Sequence, residues 1–401
     1  MEVQIRSVEK GDELRPEKKG KDNHACHDGQ GAEEDVPGLH SNLLEHISLQ
    51  KARTKGRSCF LIARLHLNGY NYSKKRRELH MPRGAIRRYW PQYKWSNVLA
   101  MIKNMKEEPK QCEKLFRDRL VVITGASSGV GYHTARKYAS MGARIIMINR
   151  NKEKSLRVCK EIGEEFGTSI EYFIADLSVL ADIERAGRYL EGLEEPINVL
   201  IHNAGLHLAK RTLTSDGLEV NFALHYLAPF IITNMLIPKL SRDRRGRIIF
   251  VGSEGYRFAA WGLDLEDLQW ERRRYSGIKA YGAGKLAQLL AMHRFAEDLK
   301  PYSVNVNAMH PGMVRTETGK DNGRFYQWYK KNIIDKNSAA PEISAEALYY
   351  LGVSEELSGI SDTFFHLTKE EELAPPALDR EAAEALWMRT MELLRGKGVA
   401  L

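Results

Sequence analysis

The chain has 401 residues, 43% of them hydrophobic, and a formal net charge of +9 at neutral pH. This length and composition suit a soluble globular protein with one large domain and a smaller one. The cysteines lie far apart without a CxxC pair, which argues against a disulfide frame and predicts reduced thiols in the cytoplasm. They are Cys26, Cys59, Cys112 and Cys159.

The positive charge is concentrated in one block of the chain. Residues 1–50 hold six basic and eleven acidic side chains, residues 51–110 hold sixteen and three, and the remainder carries a net +1. We therefore predict a disordered leader over 1–40 and an appended basic module of short helices over 41–110.

The sequence predicts neither a membrane segment nor a metal site. The first thirty residues lack an apolar core, so we expect no signal peptide. The longest apolar stretch, 221–240, contains His225 and two prolines, which favours a buried helix over a transmembrane segment. Three residues of metal-binding type stand in the leader without a second ligand pair, namely His24, Cys26 and His27.

The basic module contains a pattern typical of DNA-binding helices. Residues 60–90 favour a first helix that ends near Gly69, a second helix capped by Ser73 and a third that carries Trp90. The second helix and its turn resemble a Fis-type helix-turn-helix. The matching residues are Asn71, Ser73, Leu79, Met81 and Arg83.

Basic side chains on the third helix would contact phosphates or guanine bases if this resemblance holds. These are Arg83, Arg87 and Arg88. The sequence departs from the motif where Lys75 and Arg76 replace its small pair and His80 replaces its turn glycine. The alternatives for residues 51–110 are a basic docking helix and a patch that binds an anionic membrane surface.

From Arg119 onward, short β-branched runs alternate with amphipathic helices. The predicted strands are 119–124, 144–149, 170–175, 198–203, 247–252 and 304–309. Near-continuous Val/Ile strands joined by helices indicate an α/β fold, a Rossmann-type doubly wound parallel sheet covered on both faces. We place this domain at 115–375, with a C-terminal helix or tail at 376–401.

The first predicted strand runs into "TGASSGVG", residues 124–131, which opens a helix. Glycines here allow a tight turn and close approach to a pyrophosphate that rests on the helix N-terminus. The predicted cofactor-binding residues of this turn are Thr124, Gly125, Ser127, Ser128, Gly129, Val130 and Gly131.

The second strand ends at Asn149 and Arg150, where a domain selecting NAD would place an acid for the ribose 2′-hydroxyl. Arg150 would instead bind a 2′-phosphate through its guanidinium. The sequence therefore favours NADP over NAD as the cofactor.

The stretch "AYGAGKLAQLL", residues 280–290, places Tyr281 four positions before Lys285. Both side chains would project from one face of a helix. A nearby ammonium stabilises the phenolate and lowers the pKa of a tyrosine from about 10, which suits it to proton transfer near neutral pH. An isolated pair of this kind is usually a surface feature, so its function depends on a neighbouring hydride carrier.

With "HNAG" (202–205) and "HPGMVRT" (310–316), these motifs resemble the short-chain dehydrogenase/reductase family over about 115–370. His202 stands where the family usually has the first Asn of NNAG. The long segment after Ser253 resembles the retinol-dehydrogenase-like branch. Members of that branch mostly act on lipophilic alcohols, aldehydes or ketones.

The resemblance implies a catalytic tetrad of Asn221, Ser253, Tyr281 and Lys285. Tyr281 would be the general acid/base, Lys285 would tune it and bind the nicotinamide ribose, Ser253 would bind the substrate oxygen, and Asn221 would hold a water that links Lys285 to solvent. The further cofactor-binding residues that it implies are Asp176, Leu177, Asn203, Ala204, Gly205, Pro311, Gly312, Val314 and Thr316.

We thus expect an NADP(H)-dependent oxidoreductase that interconverts a small-molecule alcohol and carbonyl. Aromatic residues after the PG turn, within 325–329, favour a lipophilic substrate. The competing hypothesis is a cofactor-sensing regulator that binds DNA through residues 51–110. Self-association into a homo-oligomer is left open.

Overall fold

The computed structural model describes residues 7–8, 85–94, 103–104, 108–312 and 340–401, all of which belong to one compact unit. The predicted leader from residue 9, the helix-turn-helix residues 71–83 and the aromatic residues 325–329 lie outside the described residues. Val314 and Thr316, two predicted cofactor contacts, lie outside them as well.

The described strands form a single sheet. They are β1 (Ser7–Val8), β2 (Leu120–Thr124), β3 (Arg144–Asn149), β4 (Ile170–Ile174), β5 (Ile197–His202), β6 (Gly246–Val251), β7 (Val304–His310), β8 (Phe364–His366) and β9 (Lys369–Glu370). Their order is β1-β4-β3-β2-β5-β6-β7-β8-β9. All neighbours are parallel except β8 and β9.

Most of the described helices connect strands of the sheet across its two faces. They are α1 (Ala85–Tyr89), α2 (Gly129–Ser140), α3 (Lys152–Phe166), α4 (Leu180–Glu191), α5 (Val220–Phe222), α6 (Ala228–Asp243), α7 (Gly277–Leu299), α8 (Pro341–Val353) and α9 (Arg380–Gly396). A π-helical turn, Ala223–Leu227, joins α5 to α6.

Strand β2 shows how the sequence produces two hydrophobic cores. Successive side chains of a strand point to opposite faces. Val121 and Ile123 accordingly enter the core formed with α2, α3 and α8, whereas Leu120 and Val122 enter the core formed with α4, α6, α7 and α9. All four side chains are buried, so both faces are covered, which confirms the predicted doubly wound sheet.

Local signals set the ends of several helices. The Asn151 side chain accepts a hydrogen bond from the Lys154 amide at 2.8 Å and begins α3, which ends at Gly167 with φ of 63°. Asp379 similarly begins α9 by accepting from the Ala382 amide at 2.9 Å.

Among the described residues, one helix passes a length and hydropathy test for a membrane span, Val220–Asp243. Within its most apolar window, 78% is buried inside the protein. Packing in the core therefore accounts for the apolar character of this helix, in agreement with the expected buried helix at 221–240.

The end of the basic module packs on the main domain. Arg88 of α1 donates to Asp379 Oδ1 at 2.7 Å and to Glu381 Oε2 at 2.9 Å. Tyr89 is 5% exposed and donates its hydroxyl to Asp379 Oδ2 at 2.6 Å, and Tyr93 donates to the Ala260 carbonyl at 2.8 Å. Arg88, a predicted nucleic-acid contact, is thus engaged with the N-terminus of α9.

Candidate active site

The glycine turn between β2 and α2 brings backbone groups very close together. Gly125 adopts φ of +69° and Gly129 φ of +58°, the left-handed region that favours glycine. A Cβ on Gly131 would lie 2.4 Å from the Gly125 carbonyl oxygen. Ser128 stands at the N-cap of α2 without a side-chain capping bond to any described residue. The first amides of α2 are therefore available to an anion.

Thr124 and Asn203 support this turn from behind. Asn203 donates its Nδ2 to the carbonyls of Thr124 and Gly125, both at 3.0 Å. The Thr124 hydroxyl accepts the amides of Asn203 and Ala204, also at 3.0 Å. These two predicted cofactor residues thus join the ends of β2 and β5 and shape the cleft through the backbone. Gly205 follows them at the rim and is exposed.

Strand β3 ends with one side chain turned inward and one turned outward. Asn149 is buried, accepts the Ala126 amide at 2.8 Å and donates to Ser155 Oγ at 3.1 Å. Arg150 follows it and is exposed beside the glycine turn. Arg150 is therefore accessible to a ligand at this end of the sheet.

The turn after β4 has a structural role that is compatible with adenine binding. Asp176 accepts the amide and hydroxyl of Ser178 at 2.9 and 2.7 Å, and Leu177 is buried beside it. At the end of β7, Pro311 and Gly312 are half-buried, and Gly312 has φ of +76°. The described cofactor candidates thus lie along the carboxyl ends of the strands, where ligands bind in open α/β sheets.

Ser253 and Tyr281 meet at Gly255. A Cβ on Gly255 would stand 2.6 Å from Cε1 of Tyr281 and 3.2 Å from Oγ of Ser253. Gly255 also donates its amide to Ser253 Oγ at 3.0 Å, at the start of the 3₁₀ helix Glu254–Ala259. The Ser253 hydroxyl and the Tyr281 ring therefore both lie against Gly255.

Lys285 lies buried one helical turn beyond Tyr281. It is 4% exposed and donates to the Val251 carbonyl at 2.6 Å and to Gln288 Oε1 at 3.4 Å. Burial lowers the pKa of Lys285 from 10.5 to about 7. Its charge, and with it any lowering of the Tyr281 pKa, therefore depends on pH near neutrality.

Asn221 is held by a buried network. Its Nδ2 donates to Glu219 Oε1 at 2.8 Å and to the Tyr275 hydroxyl at 3.0 Å, and Tyr275 in turn donates to Glu219 at 2.9 Å. Asn221 Oδ1 is buried and has no hydrogen-bond partner among the described residues. The asparagine therefore presents an acceptor in a fixed orientation.

Two histidines outside the predicted tetrad flank Tyr281. The His207 ring lies 5.5 Å from the Tyr281 ring, and the His225 ring lies 5.1 Å from it at 88°. His225 stands four residues after Asn221 on the same helix face. This four-residue spacing from Asn221 is the sequence feature that could have pointed to His225.

A group of polar residues with no role in the predicted site begins at Glu254, the residue after Ser253. Arg257 binds Glu254 and also reaches Glu371 at 3.2 Å, while Asn104 donates to Glu371 at 3.1 Å. Burial, together with the Glu254 carboxylate, raises the pKa of Glu371 from 4.5 to about 7. Across the described residues, no group of three or more His, Cys, Asp and Glu side chains is arranged to hold a metal ion.

Known proteins match this chain over the same α/β domain. The short chain dehydrogenase family profile matches residues 119–261, and the enoyl-(acyl carrier protein) reductase profile matches residues 268–367. Human retinol dehydrogenase 13 is 33% identical over 281 residues, covering 69% of this chain and 84% of the relative. Human polyprenol dehydrogenase is 29% identical over 283 residues, covering 69% and 85%.

A solved structure shares the architecture. An uncharacterised protein from Mycobacterium paratuberculosis is 28% identical and superposes with a TM-score of 0.54, covering 70% of this chain and 95% of its own. The glycine turn, the Ser253–Tyr281–Lys285 arrangement and these likenesses agree. The chain belongs to the short-chain dehydrogenase/reductase family, in its retinol-dehydrogenase-like branch, and is an oxidoreductase of CH–OH and C=O groups.

Proposed function

We propose that this enzyme uses NADP(H) to interconvert a lipophilic alcohol and its carbonyl, with Tyr281 as general acid/base. The observation that carries the proposal is the convergence of Ser253 and Tyr281 on Gly255 with Lys285 buried beside them. The glycine turn supports cofactor binding. A Cβ on Gly131 would collide with the Gly125 carbonyl, so the close backbone packing that a pyrophosphate-binding turn needs is possible only with glycine there.

In the reduction direction, Ser253 would donate a hydrogen bond to the carbonyl oxygen and Tyr281 would give that oxygen its proton. The bound nicotinamide supplies the hydride. In the oxidation direction the Tyr281 phenolate would remove the hydroxyl proton. Lys285, in its ammonium form, stabilises that phenolate.

The direct test is turnover by the purified 401-residue chain. We expect NADPH oxidation with at least one member of a panel of aldehydes, ketones and quinones. Tyr281→Phe should lose turnover by about a hundredfold or more and keep its affinity for NADPH, since only the hydroxyl is removed. Tyr302→Phe, at the opposite end of the sheet, is the matched control. A Tyr281→Phe enzyme that kept most of its kcat would contradict the assignment.

The preference for a lipophilic substrate is tested with straight-chain aldehydes of increasing length. The names of the retinol and polyprenol dehydrogenases among its relatives support this preference. Each buried methylene contributes up to about 0.8 kcal/mol, so kcat/KM should rise up to about fourfold per added CH₂ until the site is filled. A series without dependence on length would argue for a polar substrate.

The preference for NADPH depends on Arg150. A charge-assisted hydrogen bond contributes about 1.5–3 kcal/mol, so Arg150→Ala should reduce the ratio of NADH to NADPH dissociation constants by one to two orders of magnitude. Lys152→Ala, two residues on and also exposed, is the control. Equal affinity of the unmodified protein for both cofactors would refute the preference.

A further inference from the structure

His225 is a buried histidine whose tautomer the structure defines. It is 1% exposed, and its Nε2 lies 2.6 Å from the Leu206 carbonyl oxygen. A carbonyl only accepts, so Nε2 carries the proton. Burial, with the nearby Lys285 ammonium, lowers the pKa of His225 well below 6.5. The ring is therefore neutral, and its Nδ1 is a bare acceptor.

This acceptor has no hydrogen-bond partner among the described residues. The same holds for Oδ1 of Asn221, one helical turn earlier. Buried acceptors left unsatisfied cost about 1–3 kcal/mol each, so a water or ligand donor is expected at such atoms.

Helix α7 packs against the helical segment that carries both residues, at the position next to Lys285. A Cβ on Gly284 would lie 3.1 Å from the Asn221 carbonyl oxygen and 3.3 Å from Cβ of His225, so the two helices touch at the residue before Lys285. His225 also sits within the π-helical turn Ala223–Leu227. Such turns are frequent at functional sites.

We propose, on the basis of the function above, that His225 is a positioning residue for Lys285 and Tyr281. Its Nδ1 accepts a hydrogen bond from a water molecule that accepts one from the Lys285 ammonium, and its ring orients the Tyr281 phenol. The water's second hydrogen is available to Asn221 Oδ1. His225 thereby keeps Lys285 charged beside the phenol. The titratable groups that face it are Lys285, Tyr281 and His207.

Two near-isosteric variants separate the two ring nitrogens. In His225→Gln, the amide reaches the Nε2 position and keeps the bond to Leu206, but nothing replaces Nδ1. In His225→Asn, the amide oxygen occupies the Nδ1 position instead. Both variants lose the aromatic contact with Tyr281. A larger effect in His225→Gln therefore reports on Nδ1, and a larger effect in His225→Asn reports on the bond to Leu206.

The first readout needs no turnover. The ionisation of Tyr281 is measured as the difference in phenolate absorbance between each protein and the same protein carrying Tyr281→Phe. We expect the pKa of Tyr281 to rise by about one unit in His225→Gln and by much less in His225→Asn, because Lys285 loses its solvating water only in the former. NADPH affinity should be unchanged in both.

The second readout is the pH profile of alcohol oxidation with decan-1-ol and NADP⁺. The part of the profile in which kcat rises with pH should shift to higher pH together with the Tyr281 pKa. At neutral pH, kcat should therefore fall about tenfold in His225→Gln. Equal behaviour of the two variants, or weaker NADPH binding with an unmoved Tyr281 pKa, would overturn the proposal. Absence of turnover in the unmodified protein would refute the proposed function, and the absorbance titration would still decide the role of His225.

Discussion

Lys285 illustrates how burial and function oppose each other at a single residue. The ammonium is removed from water and donates one short hydrogen bond, from its Nζ to the Val251 carbonyl. Desolvation disfavours the charged form, which is why its pKa is lowered to about 7. Since the unfolded chain binds this proton up to about pH 10.5, the folded protein is destabilised by it near neutrality.

The first prediction concerns the pH dependence of stability. Between about pH 7 and 9 the unfolded state binds the Lys285 proton that the folded state has released, so the free energy of unfolding should rise with pH by up to about 1.4 kcal/mol per unit. Lys285→Met should remove this slope and be more stable than the unmodified protein at pH 7. Urea denaturation of the cofactor-free proteins measures both, and parallel curves would contradict the assignment.

Glu371 has the opposite effect on the pH dependence of the free energy of unfolding. Its side chain is fully buried, and it shares Arg257 with Glu254, so two carboxylates compete for one guanidinium. Its folded pKa of about 7 exceeds the value of 4.5 for an unfolded chain. The folded state therefore binds more protons than the unfolded state between those values, and this residue destabilises the fold as pH rises through that range.

The second prediction is that Glu371→Gln stabilises the protein at alkaline pH. The amide keeps a hydrogen-bonding oxygen for Asn104 and removes the repulsion from Glu254. The free energy of unfolding of Glu371→Gln should exceed that of the unmodified protein by an amount that grows from near zero at about pH 5 to about 2 kcal/mol at pH 8. Glu372→Gln, at an exposed neighbour, should show no such trend. Denaturation midpoints across pH provide the measurement.

At the scale of elements, the segment from α1 through the 3₁₀ turn Trp90–Gln92 is an integral part of the domain surface. Its contacts join α9 at Asp379 to the loop that follows the 3₁₀ helix beside Ser253 and Tyr281. Gly262 in that loop has φ of +82°, and a Cβ there would lie 3.0 Å from the Tyr89 ring. This basic region is therefore held on the domain by a buried aromatic side chain, Tyr89.

The third prediction tests that anchor. Tyr89→Ala should lower the free energy of unfolding by about 3 kcal/mol, because a buried aromatic ring and its bond to Asp379 are both lost. The adjacent Trp90 is 58% exposed, so Trp90→Ala should cost less than about 1 kcal/mol. Equal losses in chemical denaturation would show that the segment is not anchored through Tyr89.

At the scale of the whole molecule, the cofactor candidates span the carboxyl edge of the sheet from Arg150, just after β3, to Gly312 beyond β7. A ligand that joins so many elements binds the folded state alone. The fourth prediction is that NADPH at about a hundred times its dissociation constant raises the free energy of unfolding by about 2.7 kcal/mol, visible as a higher thermal midpoint. NADH at the same concentration should raise it less, and an equal rise would contradict the NADP preference.

Much of this architecture was predictable from local patterns. The six predicted strands agree with β2 to β7 to within one residue at either end, because β-branched runs bounded by turns carry that information in themselves. The glycine turn and the Tyr281–Lys285 spacing were readable for the same reason. Neither motif is specific alone, but the alternation of strands and helices and the order of the motifs along the chain implied one doubly wound sheet.

Other features depended on residues distant in sequence. Nothing near Arg88 in the chain indicates that it pairs with Asp379, and nothing near Glu371 indicates that it shares Arg257 with Glu254. The bare acceptor of His225 arises only when Leu206 binds the other ring nitrogen. By itself the sequence determined the elements and the chemistry of the motifs, because these depend on short-range periodicity and spacing. Tertiary structure alone decided which charges are buried and which polar atoms lack partners, because burial and pairing are properties of the packed chain.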